Sequence, residues 1–472
     1  MATLPDNVLL DIFDFYRLND NNHSYSTVWK WHILAHVCQR WRQIIFDSPH
    51  RLDLQIHCTY GTPVKKCLGI WPNFPVAIDY CLPWVNFRPG DEENLLSALQ
   101  HSDRAGHLGL AVTDVRLGEL ATVIQKPFPM LRRLIIVGLS TERNAPLLPA
   151  EFLGGSAPRL QIIRLTNIAF PTLPTLLLSS SDLVELKLYG MARTGYISPE
   201  AMAACFAKLP RLETFAITLQ LTARPDQTHL PSITRTVLPA LTNFYFEGAS
   251  KYMENLTARI DCPQLNSLLL VYTDYFDQLV DLQVAQLSRF FNLSVGPEIS
   301  PFRHAKACFD FNYFTVTFDL YRNANNAACN RDPATTVIIC RGIGSPSLVA
   351  QALSPFSVIL STVVELKLVA KLMTGYPSSD ADNFAWLHLI QQLSTVQALC
   401  ISRKLAVLIA RALNSITGEI IDGALPSLDL ICLEGRPTSF FKKLIAVRRL
   451  SGRRVTVVST EAEFDEILKS YS

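Results

Sequence analysis

The sequence predicts an α/β fold in which short helices precede a long, irregular solenoid of strands and helices. A leucine-led strand phrase recurs, with first apolar positions at Leu131, Leu160, Leu183, Leu212, Leu241 and Leu265, spaced by 29, 23, 29, 29 and 24 residues. Two distant phrases, DLVELKLYG and TVVELKLVA, are nearly identical, which repetition explains. The strongest helical patterning of apolar residues lies in residues 1–50, ahead of the repeats.

The totals bound the possibilities. A chain of 472 residues is enough for roughly three domains of ~150 residues, unless stacked repeats share one core. Apolar residues make up 49% and charged ones 18%, so there is ample surface to bury. Lys plus Arg is 43 against 41 for Asp plus Glu, a net of +2, which argues against a broad nucleic-acid or membrane-surface footprint. Eleven cysteines are scattered singly, several inside apolar runs (TTVIIC at Cys340, VQALC at Cys400, LDLIC at Cys432). They read as small core residues and as reduced thiols of a cytoplasmic or nuclear protein. The opening MATLPDNVLLDIF lacks the basic start of a signal peptide, and no run approaches the ~20 apolar residues of a membrane span. The sequons at Asn22, Asn255 and Asn292 therefore read as chance matches.

In LPDNVLLDIFDFY, Leu4-Pro5-Asp6 is a helix entry, with Pro in the first turn and an acidic residue favourable to the helix dipole. Val8, Leu9, Ile12, Phe13 and Tyr16 follow at helical spacing. RLNDNNHSYSTV is a polar loop. WKWHILAHVCQRWRQIIF then repeats the pattern with Ile33, Leu34, Val37, Cys38, Trp41, Ile44 and Ile45, and Asp47-Ser48-Pro49 ends it. Stripes this wide on two or three short helices need a further cover. Either they cap the domain that follows, as a solenoid requires, or they dock a partner.

The residues themselves carry a resemblance. An L-P start, a helix ending in I-F and a later V-C-x-R-W-R occur in order, through Leu4, Pro5, Leu9, Ile12, Phe13, Val37, Cys38, Arg40, Trp41 and Arg42. This combination resembles the F-box, with a longer stretch than usual from Arg17 to Trp31. WHILAHVCQRWRQIIFDSPHRLDL and the later WPNFPVAIDY resemble the variant found in basidiomycete fungi. The resemblance implies that residues 1–50 bind the Skp-type adaptor of a cullin–RING ubiquitin ligase. It places Leu4, Pro5, Val8, Leu9, Ile12 and Phe13 toward the adaptor, with Val37, Cys38 and Trp41; Trp41 could equally lock the module's own core.

Residues 51–472 read as the second domain. Its phrases (MLRRLIIVG, RLQIIRLTN, DLVELKLYG, RLETFAITL, ALTNFYFEG, QLNSLLLVY) mostly follow a proline or small-residue turn, and VVELKLVA, VQALCIS and LDLICLEG resume them at Val363, Val396 and Leu428. The L-x-x-L-x-L rhythm resembles an irregular leucine-rich repeat. Phe276 to Ala352 fits worst and reads as one or two distorted repeats; an ordinary α/β domain is the other reading. RLDLQIHCTY, FPVAIDY and AGHLGLAVTD read as early strands that join the two domains without a hinge. In such a solenoid the x positions line the concave side: Arg133, Arg164, Glu185, Lys187, Tyr189, Tyr245, Glu247, Glu365, Lys367 and Glu434. Their mixed signs and tyrosines suit a protein ligand, with Arg164, Lys187, Tyr189, Tyr245 and Lys367 the candidate target-binding residues.

No chemical motif stands out. His32 and His36 are four apart, but Ile33 stands where a zincin needs Glu. GRPTSFFKK and RGIGSP lack phosphate-loop spacing. KKLIAVRRLSGRR is basic and reads as the solvated face of a late helix, before a strand in RRVTVVST and a closing helix in FDEILKSY. The expectation is a non-catalytic receptor subunit without metal or cofactor, bound to the adaptor and to an unknown protein target, but to neither nucleic acid nor membrane. The alternative is an interaction scaffold whose N-terminal helices only cap the fold.

Overall fold

The computed structural model describes residues 4–18, 30–48, 51–52, 54–71, 73–81, 88–139, 145–219, 235–273, 303–310, 315–321, 335–340, 361–371, 393–403, 425–433 and 454–471, with isolated positions between. The chain divides into two compact units, residues 1–197 and 198–472.

The first unit opens with three helices: α1 (Asp6–Leu18), α2 (Lys30–Ala35) and α3 (Gln39–Asp47). The stretch read as one helical pattern breaks between α2 and α3. Cys38 is extended there (φ −158°) and caps α3 by accepting the Trp41 N–H on its sulfur at 3.4 Å. Among the described residues six parallel strands follow in chain order, β1 (Ile56–Cys58), β2 (Val76–Tyr80), β3 (Ala105–Val112), β4 (Arg133–Gly138), β5 (Ile162–Thr166) and β6 (Glu185–Met191), with helices α4 (Val64–Ile70), α5 (Asp91–Leu99), α6 (Asp114–Ile124) and α7 (Leu173–Leu178) between them.

In the second unit β7 (Thr214–Leu219), β9 (Asn243–Gly248) and β11 (Ser267–Tyr272) pair parallel, as do β15 (Glu365–Lys371), β16 (Ala398–Ile401), β17 (Leu430–Leu433) and β18 (Thr456–Val458). A short pair, β8 (Thr236–Val237) and β10 (Ile260–Asp261), lies apart from them.

The repeat phrase explains the strands. Leu131, Leu160, Leu183, Leu212, Leu241, Leu265 and Leu428 each donate a backbone hydrogen bond to the carbonyl three residues earlier. This closes a turn in which Pro129, Pro158, Pro210, Pro239, Pro263 and Pro426 occupy the second position, where the fixed φ of proline suits the geometry. The next two apolar positions, such as Ile163 and Leu165 or Phe244 and Phe246, point to one face, because a strand alternates its side chains. Across nine phrases none of these 27 side chains is more than 5% exposed. Returning helices cover that face: α8 (Pro199–Phe206) sets Phe206 edge-on to Phe215 at 4.9 Å, and α9 (Ser250–Thr257) stacks Tyr252 on Phe246.

The region expected to hold distorted repeats is different. β12 (His304–Asp310), β13 (Thr315–Tyr321) and β14 (Thr335–Cys340) form an antiparallel meander, in the spatial order β11-β14-β13-β12-β15. Only residues 311–314 separate β12 from β13. That is too short for the crossover of about a dozen residues that a parallel pair needs, so the chain turns back on itself.

Neighbouring repeats approach closely at Gly138. A Cβ there would lie 2.2 Å from the carbonyl oxygen of Asn167, which is itself left-handed (φ 51°) and donates its N–H to Tyr189 O at 2.8 Å. Gly138→Ala is therefore expected to cost about 1–3 kcal/mol by overpacking, read as a lowered urea midpoint with unchanged slope.

Candidate functional site

Helix α1 is apolar on two sides. Leu9, Leu10 and Phe13 turn inward, with Phe13 only 1% exposed and its ring edge-on to Trp41 at 4.9 Å. At about 100° per residue, Val8, Ile12 and Phe15 form a second stripe on another side. Ile12 is 45% exposed and Phe15 65%, with Val8 half-buried. Leu4, Ile33 and Val37 are exposed as well.

Polar contacts fix this arrangement. The Arg40 guanidinium donates to the Leu4 carbonyl at 2.5 Å and pairs with Asp6 at 2.6 Å, tying the entry of α1 to α3. Arg42 donates to the Ala35 carbonyl at 3.0 Å across the α2–α3 break, and Arg51 pairs with Asp11. Phe46 of α3 packs against Trp71 and Phe74, so the helices also rest on the segment that follows them.

Of the residues expected at a partner, Leu4, Pro5, Ile12, Val37 and Cys38 are exposed, while Val8 and Trp41 are half-buried. Leu9 and Phe13 are corrected: they belong to the module's own core, because a helix resting on α2 and α3 must commit one apolar side to them. Phe15 and Ile33 join the exposed set. Phe15 continues Val8 and Ile12 at helical spacing, a signal present in the sequence. His36 is exposed, with its ring edge-on to Trp71. Among the described residues no His, Cys, Asp and Glu group could hold a metal, no disulfide joins the cysteines, and no helix is long and apolar enough to cross a membrane.

In each unit, the strand face opposite the leucine side carries further candidate residues. In the first unit Arg164 pairs bidentately with Glu185, which Lys187 also approaches at 3.2 Å. Burial would raise the Glu185 carboxyl, but hydrogen bonds from Arg164 and Lys187 outweigh it and hold the group below its ordinary range. Tyr189 is half-buried and its hydroxyl is pushed up by burial; Arg133 is exposed. In the second unit Tyr245 donates to Glu247 at 2.7 Å.

Lys367 does not belong to an open surface, which corrects its reading as a target contact. It is 5% exposed, because α10 (Glu461–Tyr471) lies over it. Lys367 meets Asp465 at 2.8 Å and Glu461 at 3.2 Å, with the ring of Phe464 at 5.7 Å. Glu365 lies 3.9 Å from it and contacts His304 at 2.7 Å. Glu434 falls outside the described residues, as does most of KKLIAVRRLSGRR.

Burial opposes the charge on Lys367, but the hydrogen bond it donates to Asp465 and the carboxylates of Glu365, Asp465 and Glu461 dominate, raising it from 10.5 to about 12. A raised folded value stabilises below the unfolded one, so this contribution is complete below pH 10.5 and is lost as pH rises through about 12. Lys367→Met is expected to flatten the loss of stability over that range in urea unfolding. Tyr321, which burial also pushes to about 12, titrates in both proteins.

The fold and these residues define a class: a helical module with a bare apolar stripe, joined to α/β repeats. Residues 1–54 match the family described as F-box-like, so the class is an F-box-like module ahead of a repeat domain. No curated protein matches the chain. Among solved structures, the leucine-rich repeat-containing protein LegL7 from Legionella pneumophila is 14% identical, over 85% of this chain and 99% of that one. The TM-score between the two is 0.26.

Proposed function

We propose that the chain is a non-catalytic substrate-recognition subunit of a Skp–cullin–F-box ubiquitin ligase. The module of residues 1–50 docks the Skp-type adaptor, and the domain of residues 51–472 holds a protein target for ubiquitin transfer. The observation that carries this reading is the apolar stripe on the side of α1 away from its own core, where Ile12 and Phe15 are exposed among the described residues and Val8 is half-buried beside them. Helix-in-groove docking uses such anchors, and an aromatic residue supplies much of the energy. Leu4, Pro5, Val37, Cys38 and Trp41 surround the stripe in the reading, while Leu9 and Phe13 hold α1 in place from beneath. Arg164, Lys187, Tyr189 and Tyr245 are the proposed target contacts.

The packing of Phe46 on Trp71 and Phe74 favours a second reading, in which the helices only cap an interaction scaffold. Capture of a Skp-type adaptor separates the two. The wild-type chain is expected to retain it. Val8→Asp, Ile12→Asp and Phe15→Asp together are expected to weaken retention at least about 100-fold, with an unchanged circular dichroism spectrum. Undiminished binding by that variant would contradict docking through this stripe.

A further inference from the structure

The sheet face beneath α10 is closed where the same face of several other strands is partly open. Burial alternates residue by residue in β4, β9 and β11, whereas all four residues of β16 and of β17 are buried. Ala398, Cys400, Leu430, Cys432 and Val458 form an apolar floor, with Lys367 beside Cys400 on the neighbouring strand. Helix α10 covers the floor with Phe464, fully buried, and with Ile467 and Leu468. Those three residues make one stripe at i, i+3 and i+4, and Glu461, Glu463 and Glu466 on the remaining surface are exposed. Thr460 begins the helix, accepting the Glu463 N–H at 3.3 Å. A one-sided helix with an aromatic anchor, laid across a groove and oriented by charge, is how helices are recognised between proteins.

We propose that this groove docks an acidic amphipathic helix of a partner protein, and that α10 is its resident occupant, displaced when the partner binds. The resident defines the chemistry required: a carboxylate, then an aromatic residue three positions on, a second carboxylate directly after it, and two aliphatic residues following. Glu461, Phe464, Asp465, Ile467 and Leu468 supply that order. Lys367, between the two carboxylates, sets the sign of charge accepted, since a basic helix would bring like charge onto it. This site is distinct from the target contacts proposed above, since Lys367 lies beneath α10. Adaptor capture at the N-terminal helices is measured separately, so failure of one is distinguishable from failure of the other.

The test uses the full chain and, as probe, a fluorescein-labelled synthetic peptide of residues 460–472. A host chain carrying Phe464→Ala and Asp465→Lys loosens the resident and leaves the groove intact. The probe is expected to bind this host at least about tenfold more tightly than it binds the wild-type chain, where the resident competes. Adding Lys367→Glu to the host, or the two host substitutions to the probe, is expected to abolish binding. The wild-type chain gives a second measurement that needs no variant to fold. If α10 lifts locally, N-ethylmaleimide modifies Cys400 and Cys432 at least about tenfold faster than Cys58 and Cys262, which are fully buried elsewhere. Equal, slow modification of all four thiols would overturn displacement. So would a folded host that fails to bind the probe, or hosts with and without the loosening substitutions that bind it equally.

Discussion

An apolar face must be covered, and this chain has elements with two apolar faces. The repeat strands are the simple case. Each L-x-x-L-x-L phrase closes a turn and sends its next two apolar side chains to the same side, where returning helices bury them. The opposite side is left to mixed residues such as Arg164, Glu185 and Lys187, which water and ion pairs satisfy. Where the opposite side is apolar too, as in β16 and β17, a second cover is required, and α10 provides it.

Helix α1 presents the same requirement, and among the described residues no second element covers its outer side. Its inner side meets Trp41 and the helices behind it, while Ile12 and Phe15 remain on the outside. Exposing one large apolar residue is ordinary. Exposing a stripe at helical spacing is costly, and a protein that binds through that stripe recovers the cost on association. The two surfaces thus differ in kind: at α10 the chain supplies its own cover, and at α1 another polypeptide is proposed to supply it.

Much of the fold was legible in the residues. The repeat strands were, because a phrase that fixes both a turn and a buried face is hard to mistake for anything else. The meander of β12 to β14 was not, since an antiparallel strand alternates like a repeat strand and only the short 311–314 connection distinguishes them. The division of α1 into inner and outer sides was also hidden, because Val8, Leu9, Ile12 and Phe13 lie in one wide apolar band until a neighbouring helix claims part of it. The cover over β16 and β17 did leave a trace: ALCI and LICL are apolar without alternation, the pattern of a strand buried on both faces. Cys400 and Cys432 mark the second face, and reading them only as small core residues overlooked it.

Hydroxyl-radical footprinting of the full chain, alone and with a Skp-type adaptor, tests the uncovered stripe most directly. Phe15 and Ile12 should be oxidised readily in the chain alone and protected when the adaptor is added, with Phe13 protected in both states. Protection of Phe15 before any adaptor is present, or its continued oxidation in the bound state, would contradict the account.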